Sequence, residues 1–557
     1  MKKFVCYSLA ISGLIAMSAC SSKMGQFKSD YFSTNPNPLE VVGQDVPAVV
    51  TANIPAKFFK KNAQVTITPV LVYSGTESAA TPTALQGEKV RGNAAVVSYD
   101  NGGVVTIPVS YVYNPAMMNS ELYLTFDVAQ GNKKYVLPRV KVADGVIATA
   151  ALADAATVDP ATAADAFQRI INEKYSADIR FLINQAVVRN NQLGTPEMME
   201  LQHRLRSANA ADSLVINSIN IESYASPEGA LDFNARLAED REANTQAYLQ
   251  KQLKKDKIAE FGELTANFTA EDWDGFQKLV AASDIQDKDL ILSVLRQFND
   301  PEEREREIRN LASVFEVLAD EILPQLRYSR ITASIDVIGK SNDEINNLVD
   351  NDPAKLSVEE LLYAATLTDD NARKQKIYET VIRLYPNDYR GYNNLGNIQY
   401  QNQDYTTALS NFNKAAQLNP ASKEVAMNKG LLSLVNKDFS AANASFSNAA
   451  GLDNLGDALG VYYLTQGDNA AAVKAFGSSK TNNAALAQIL TKDYAAAKNT
   501  LAAIANPDAT TYYLTAILGA RTNNESMVRS NLEKAIKLDP SMAQKAKADL
   551  EFAKFNK

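Results

Sequence analysis

Cysteine is nearly absent from this chain of 557 residues, which contains only Cys6 and Cys20. Both lie in the first twenty residues, so the body of the chain has no thiol for a disulfide or for a zinc site. Histidine is equally scarce, since His203 in the stretch ELQHRLRS is the only one. A histidine-based catalytic triad would have to use this one residue, and a zinc site built from His and Cys ligands is excluded.

An excess of positive charge is also missing. The chain has 56 Lys and Arg against 64 Asp and Glu, which gives a formal net charge of −8. Nucleic-acid binding without sequence preference needs a basic surface that displaces counterions, so we expect no nucleic-acid partner. No glycine-rich loop matches a nucleotide-binding fingerprint, and the acidic pairs DNDP and DKDL lack the spacing of a calcium loop. We therefore expect no enzymatic activity, no cofactor and no metal.

What the chain has is the length and composition of a multidomain globular protein. Its 557 residues exceed what one hydrophobic core supports and predict three or four domains. Apolar residues make up 46% and charged residues 22%, which is typical of folded proteins rather than of disordered or fibrous ones.

The first twenty residues, MKKFVCYSLAISGLIAMSAC, have the pattern of a secretion signal. Lys2 and Lys3 precede an apolar run that is too short to remain as a membrane-spanning helix, and small residues precede Cys20. The ending MSAC resembles the lipobox of bacterial lipoproteins, in which the cysteine is acylated with palmitate-type chains. This resemblance implies a signal peptide over residues 1–19 and a lipid on Cys20; the alternative is an exported protein cleaved near Ala19 without lipid.

The residues that follow Cys20 are polar and rich in turn formers. We expect residues 20–38 to form a tether between the membrane and the folded body. By similarity to lipoproteins of Gram-negative bacteria, Ser21 and Ser22 lack the aspartate that commonly retains such proteins at the inner membrane. The resemblance therefore implies an outer-membrane protein that faces the periplasm, with surface exposure left open.

Residues 39–148 alternate apolar and polar positions with a period of two. Stretches such as QVTITPVLVY and VVTIPVSYVY are rich in Val, Ile, Tyr and Thr and are separated by turn signals such as DNGG. Several short strands at this spacing predict an N-terminal β-sandwich. The alanine-rich residues 149–165 follow, and we expect them to be a partly helical linker.

Residues 166–340 alternate predicted strands and helices, which indicates an α/β sandwich. Within them, INIESYASPEGALDFNARLAEDREANTQAYL resembles the core motif of OmpA-like domains, periplasmic modules that often bind the diaminopimelate side chain of peptidoglycan. Gly229, Asn234, Leu237 and Arg241 match four positions of the family motif. Unlike the compact family form, the domain has a predicted helical insertion over residues 275–326.

One family position differs, because Ser226 stands where the family has an aspartate. The resemblance implies that Asn234 and Arg241 belong to a peptidoglycan-binding site, with Arg241 receiving a ligand carboxylate. A serine in place of the aspartate removes a charge-assisted hydrogen bond of about 1.5–3 kcal/mol, unless Glu228 compensates. The alternative is that Arg241 is a structural helix residue paired with a neighbouring acid.

Residues 350–557, after a polar hinge, repeat with a period of 34 that is clearest from Pro386 to Ala449 and weakens later, where the step from Gly430 to Gly460 is only 30 residues. Gly396, Ala408 and Phe412 recur as Gly430, Ala442 and Phe446. This spacing resembles the tetratricopeptide repeat (TPR), a helix–turn–helix unit of 34 residues. Small residues are expected where helices approach closely and large ones beside them, so the pattern predicts an all-α solenoid of about six repeats.

The first helices of the predicted repeats are rich in amides, among them Asn393, Asn394, Asn397 and Asn428. Side-chain amides on the concave face of a solenoid are suited to hydrogen bonding with an extended peptide backbone. The alternative is that these asparagines are solvated surface residues.

These patterns together predict a lipid-anchored protein with a β-sandwich, an OmpA-like α/β domain and a TPR solenoid. We expect a non-enzymatic scaffold that binds other envelope proteins through the solenoid, because a solenoid offers a surface rather than a reactive centre. The alternative function is a cell-envelope tether that binds peptidoglycan through the OmpA-like domain.

Overall fold

The computed structural model describes residues 23–310 and 312–555. The predicted signal peptide and Cys20 lie outside the described residues. The chain forms two compact units, one that combines Met1–Ala164 with Asp370–Lys557 and one that consists of Asp165–Asp369. The second unit is therefore inserted in the chain between two parts of the first. Among the described residues, no helix has the length and apolarity needed to cross a membrane.

The N-terminal part of the first unit is built from strands. They are β1 (Phe32–Asn35), β2 (Leu39–Glu40), β3 (Asp45–Ile54), β4 (Ala63–Tyr73), β5 (Thr76–Ala79), β6 (Thr83–Gly87), β7 (Ala95–Val97), β8 (Gly103–Val112), β9 (Ser120–Gln130), β10 (Lys133–Asp144) and β11 (Val146–Ile147). One sheet has the order β1-β3-β8, and a second has the order β10-β9-β4-β6-β7 with β5 beside β4. β2 and β11 form a separate parallel pair.

The alternation of side chains explains how these two sheets pack. β3 and β9 bury every second residue, as expected for strands with one face in a core. Val50 and Ile107 of the first sheet and Val65 and Phe126 of the second are fully buried in one shared cluster. The predicted β-rich N-terminal region is therefore present, and its two sheets enclose a single core.

The tether predicted for residues 20–38 is wrong for the residues that the structure describes. Met24 and Phe27 are buried in the β core, and the ring of Phe27 stacks on Phe126 with centroids 4.3 Å apart. β1 pairs with β3 in antiparallel register. The apolar side chains in this otherwise polar stretch therefore fold it onto the domain.

The second unit alternates strands and helices. Its strands are β12 (Ile170–Arg180), β13 (Leu214–Tyr224), β14 (Glu263–Thr269) and β15 (Tyr328–Ile338), and its helices are α1 (Pro196–Ala210), α2 (Leu231–Lys255), α3 (Trp273–Ala282), α4 (Lys288–Gln297), α5 (Pro301–Asn310), α6 (Ala312–Glu321), α7 (Asn342–Asn351) and α8 (Val358–Thr366). The sheet order is β12-β15-β13-β14, with β13 and β14 parallel across α2.

Helices α1 and α2 cover one face of this sheet. Ile179, Ile219 and Ile331 point into the core between the sheet and these helices. The inserted helices α3–α6 surround a second cluster that contains Trp273 and Phe276. Strands and helices thus follow the order that the sequence pattern predicts for residues 166–340.

Helices alone make up the C-terminal part of the first unit. They are α9 (Asn371–Leu384), α10 (Tyr389–Gln401), α11 (Tyr405–Leu418), α12 (Lys423–Val435), α13 (Phe439–Asn448), α14 (Leu455–Thr465), α15 (Asn469–Phe476), α16 (Asn482–Leu490), α17 (Tyr494–Ala502), α18 (Ala509–Arg521), α19 (Glu525–Leu538) and α20 (Met542–Ala548). From α10 to α19 they form five pairs joined by short turns. The predicted all-α repeat region is therefore present.

The start of this region differs from the predicted boundary at residue 350. The stretch interpreted as a polar hinge forms α7, because Ser341 and Glu344 make a capping box at its start. α7 and α8 belong to the α/β unit, and the repeat region of the first unit begins with α9.

The spacing of glycine and phenylalanine within each repeat has a direct steric cause. Gly396, Gly430 and Gly460 each face the ring of the phenylalanine sixteen positions later, and a Cβ at any of them would lie within 2.5 Å of a ring carbon. The three rings, Phe412, Phe446 and Phe476, are at most 5% exposed. The sequence prediction that small residues mark close helix approaches is correct at these positions.

We predict that Gly430→Ala destabilises the protein although alanine is the better helix former. The gain in helix propensity is about 1 kcal/mol, whereas overpacking against the buried Phe446 ring costs about 1–3 kcal/mol. Urea unfolding should show a net loss, and the double variant Gly430→Ala, Phe446→Leu should recover part of it. A single variant as stable as the wild type would contradict this packing.

The β-rich and helical parts of the first unit contact one another directly. Glu551, near the end of the chain, accepts hydrogen bonds from Thr149 Oγ1 at 2.6 Å and from Arg521 Nε at 2.9 Å. Gly43 has a φ of +61° and lies against the main chain of the turn that follows α14, where a Cβ would lie 2.8 Å from the Thr465 carbonyl oxygen. These contacts join the N-terminal sheets to the last repeats.

Candidate peptide-binding groove

The four asparagines singled out in the sequence lie on α10 and α12 and are all buried. Their exposed fractions range from 0% to 5%, so the interpretation of these residues as solvated is wrong. A buried amide needs partners for both its N–H and its carbonyl groups. Here the partners are main-chain atoms of residues 154–164, the segment that follows the N-terminal sheets; we refer to this stretch as the groove segment.

Asn394 shows the contact in its simplest form. Its Oδ1 accepts the N–H of Ala163 and its Nδ2 donates to the carbonyl of Ala163, both at 2.9 Å. The side chain therefore replaces the neighbouring strand that an extended residue would otherwise pair with. No side-chain atom of Ala163 takes part, so Asn394 recognises only the backbone of this residue.

Asn428 makes the same pair of contacts with Ala161, at 2.7 Å from the N–H and 2.8 Å to the carbonyl oxygen. Asn393 and Asn397 donate to that carbonyl from 3.0 and 2.9 Å. The amides of Asn393 and Asn397 are in turn within hydrogen-bond distance of Asn428 Nδ2. Three asparagines thus converge on one residue of the groove segment.

The other end of the groove segment is held by residues that the sequence analysis did not identify. Asn483 on α16 pairs with the N–H of Asp154 at 3.0 Å and with its carbonyl at 2.9 Å. Tyr400 donates its hydroxyl proton to the carbonyl of Ala155 at 2.6 Å. A signal for Asn483 exists: like Asn394 and Asn428, it lies two positions before the small residue of its repeat, here Ala485.

The side chains of the groove segment that face the helices are small. Ala155, Val158, Ala161 and Ala163 are at most 8% exposed. Apart from Val158 and Pro160, the buried side chains of the segment are methyl groups, so the main chain approaches the helices closely enough for the asparagine contacts. After a short 3-10 helix at Ala155–Thr157 the segment has no regular secondary structure.

The concave face of the solenoid is therefore occupied by the chain itself. The prediction of a simple linker over residues 149–165 is wrong, because residues 154–163 are bound along the groove rather than connecting two domains freely. Asn393, Asn394, Asn397 and Asn428 do contact an extended backbone. Their binding to the peptide of another protein stays a prediction.

We predict that Asn428→Leu releases the middle of the groove segment. Leucine has a similar size but can neither donate to nor accept from Ala161, which leaves a buried N–H and a buried carbonyl without this partner. Hydrogen exchange measured by mass spectrometry should show faster exchange at Ala161. Asn413→Leu, at an exposed position of α11, is the matched control and should leave the exchange rate unchanged.

The residues predicted to bind peptidoglycan lie in the α/β unit, where Arg241 is fully buried. Its guanidinium donates to the main-chain carbonyls of Gln185, Tyr224 and Leu182 at 3.0, 2.7 and 3.3 Å. Burial, and then the neighbouring Arg327, lower the pKa of Arg241 to about 10, so the group stays charged at neutral pH. Arg241 therefore ties α2 to β13 and to the loop after β12.

Ser226 and Glu228 are also engaged within the protein. Arg327 forms a two-bonded ion pair with Glu228, with Nε–Oε1 at 3.0 Å and Nη2–Oε2 at 2.9 Å. Ser226 donates to the same carboxylate at 2.8 Å. Glu228 thus neutralises Arg327 and does not compensate for the missing aspartate at a ligand site.

Asn234 completes this internal network. It donates to the carbonyl of Gly229 at 2.9 Å and to Glu271 Oε1 at 3.0 Å, and Glu271 also accepts the indole N–H of Trp273 at 2.9 Å. Asn234 is 3% exposed. The structure brings the four predicted residues into one region, but as a network that stabilises the fold. In this arrangement the predicted contact of Arg241 with a ligand carboxylate is wrong, because Arg241 is out of reach of solvent.

We predict that Arg241→Ala destabilises the protein by about 3–5 kcal/mol without changing its sedimentation with peptidoglycan. The substitution leaves three buried carbonyls without their donor and opens a cavity. Thermal unfolding measures the first effect and co-sedimentation with purified peptidoglycan the second. Arg236→Ala, at an exposed position of the same helix, is the stability control. Loss of co-sedimentation at a temperature where the variant is folded would restore the binding role.

A polar cleft of about 740 Å³ lies on the face of this sheet opposite α1 and α2. Its charged residues compensate one another: Arg330 binds Asp178 with two hydrogen bonds of 2.8 and 2.9 Å, and Asp272 caps α3. In the part of the chain that the structure describes, no group of three or more metal-ligating side chains is found. His203 lies exposed on α1.

Comparison with known proteins supports the repeat assignment. The family model of the tetratricopeptide repeat matches residues 389–422, which form α10, α11 and the turn that follows. No curated protein matches the sequence significantly.

Solved structures resemble the helical region at low identity. They include the Cut9–Hcn1 hetero-tetramer of the APC/C (17% identity, TM-score 0.32, 36% of this chain and 44% of that chain). They also include a tetratricopeptide repeat protein from Parabacteroides merdae ATCC 43184 (13%, 0.30, 38% and 91%) and pilF from Pseudomonas aeruginosa (14%, 0.29, 39% and 98%). This chain spans less than half of the Cut9–Hcn1 chain that it matches. The assignment of the repeats therefore rests on the family model and on the spacing of the helices.

Proposed function

We propose that the protein is a non-enzymatic scaffold that binds other proteins of the cell envelope through its TPR region. One observation carries this proposal: the concave face of the solenoid binds an extended main chain, that of the protein's own groove segment, through a ladder of buried asparagines. Side-chain amides of this kind can hold the backbone of any extended segment, and this needs no reactive group.

The anchor belongs to the same proposal. The pattern of residues 1–20 supports export and lipidation at Cys20, with the folded body at the outer membrane and facing the periplasm. Two or three acyl chains on one residue provide a stable anchor. A scaffold held at the membrane in this way meets its partners at a raised local concentration.

A tether that acts through peptidoglycan has less support. The residues expected to form its site are occupied by internal hydrogen bonds, as described above for Arg241 and Glu228. We therefore do not extend the proposal to the cell wall.

Lysine cross-linking in intact envelopes tests the proposal. The tagged full-length protein is cross-linked, purified and analysed by mass spectrometry, because deletion of the solenoid would also remove its contacts with the N-terminal sheets. We expect cross-links to other envelope proteins at Lys414, Lys474 and Lys498, which are exposed on the solenoid. Cross-links only within the chain, or only at Lys133 and Lys134 of the β region, would contradict it.

Membrane fractionation of the same cells tests the lipid anchor at Cys20. Wild-type protein should sediment with the membrane fraction, and Cys20→Ser should remain soluble after cell disruption. If the variant sediments as the wild type does, the lipid anchor is wrong while the scaffold is still tested by the cross-links.

A further inference from the structure

The groove segment is bound in the way that a separate peptide ligand would be, although it belongs to the same chain. Its contacts with the helices are main-chain hydrogen bonds and small apolar side chains, and it forms no strand or long helix of its own. Such a contact surface is what a separate extended peptide would offer. Because the α/β unit, Asp165–Asp369, is inserted between the segment and α9, a long stretch of chain separates ligand and receptor.

We propose that the occupant of the groove is exchangeable: a segment of a partner protein displaces residues 154–164 and binds to the same asparagines. This inference rests on the proposed scaffold function and names the partner for its concave face. The exchange would make binding conditional, since the partner must compete with the protein's own segment.

The chemistry of the groove defines the partner segment. Asn394, Asn428 and Asn483 each bind both main-chain groups of one residue, so the partner has to be extended at these three positions. Proline is excluded there because it has no N–H to donate to the asparagine. Positions equivalent to Ala161 and Ala163 have to be small, because these side chains are 2% exposed. The partner is therefore an extended segment with small, uncharged residues at the positions of Ala161 and Ala163.

The neutral side chains around Ala161 and Ala163 also restrict the partner segment. Around Ala161 and Ala163 the side chains that bind the segment are the four neutral asparagines on α10 and α12, and Asn483 and the hydroxyl of Tyr400 bind its other end. Arg390 donates to the carbonyl of Ala164, the last residue of the segment. A charged side chain at the position of Ala161 would be desolvated among neutral amides, which is costly without an opposite charge. A charged side chain is thus disfavoured at the positions of Ala161 and Ala163, whereas it is tolerated where the segment has the exposed Asp154 and Asp159.

The attached segment competes through its high effective concentration. In wild-type protein a free peptide of the same sequence therefore binds weakly. Replacing residues 154–164 by a Gly/Ser sequence of equal length removes the competitor and keeps Thr149 and its contact with Glu551. This full-length variant is the receptor for the test.

The experiment measures the fluorescence anisotropy of a labelled peptide with the sequence of residues 152–165. We expect saturable binding to the Gly/Ser variant, at least tenfold weaker binding to wild type, and roughly a hundredfold loss when Asn394→Leu and Asn428→Leu are added, because four hydrogen bonds are removed. A peptide with Asp in place of Ala161 and Ala163 is the matched control and should not bind. Absence of binding by the folded Gly/Ser variant overturns the proposal.

Hydrogen exchange of the wild-type protein covers the case in which the Gly/Ser variant does not fold. Displacement of the segment by a partner requires that the segment opens locally. The amide hydrogens of Ala161 and Ala163 should therefore exchange on the order of tenfold faster than those of Leu431 and Leu432 in the solenoid core. Equal protection overturns the proposal, because the segment then opens only when the whole unit unfolds. If the segment proves not to be displaceable while solenoid cross-links to envelope proteins persist, the scaffold function stands and only the exchangeable occupant is wrong.

Discussion

The architecture of the first unit depends on the pairing of buried asparagine amides with the main chain of residues 154–163. Each amide provides one donor and one acceptor, and an extended residue offers one of each in return. Without these hydrogen bonds, the polar groups of Asn394, Asn428 and Asn483 and of the groove segment would be buried without partners, at a cost of about 1–3 kcal/mol for each group. Together with the contacts of Thr149 and Gly43, the pairing joins N-terminal sheets and C-terminal helices that are separated in sequence by an entire domain.

A repeat solenoid by itself buries its apolar residues only against neighbouring repeats. Here the cluster that contains Phe412, Phe446 and Phe476 also contains Ala155, Val158 and Ala161 of the crossing segment. The groove is thus part of the hydrophobic core as well as a polar recognition surface. A protein that binds this face has to replace both kinds of contact, which restricts its partners by chemistry and by shape.

The sequence predicted the regular elements well where one physical rule dominates. The sixteen-residue spacing within each repeat comes from glycine facing a phenylalanine ring, and the order of strands and helices in the α/β unit follows from apolar periodicity. It failed where a tertiary contact decides. Residues 23–38 read as a polar tether because the burial of Met24 and Phe27 depends on a core formed by distant strands, and the alanine-rich segment read as a linker because main-chain hydrogen bonds leave no side-chain signal. Arg241 matches a binding motif, yet its partners are carbonyls that no motif can identify.

Photo-cross-linking from Thr162 tests the occupied groove most directly. The Thr162 side chain is exposed, so a benzoylphenylalanine is tolerated there, and its hydroxyl lies 3.5 Å from Asn397 Nδ2. Irradiation of the purified full-length protein, followed by mass spectrometry, should give an intramolecular cross-link between this residue and the peptide that contains α10. Products confined to the neighbouring sequence or to the α/β unit, with none on α10 or α12, would contradict the account.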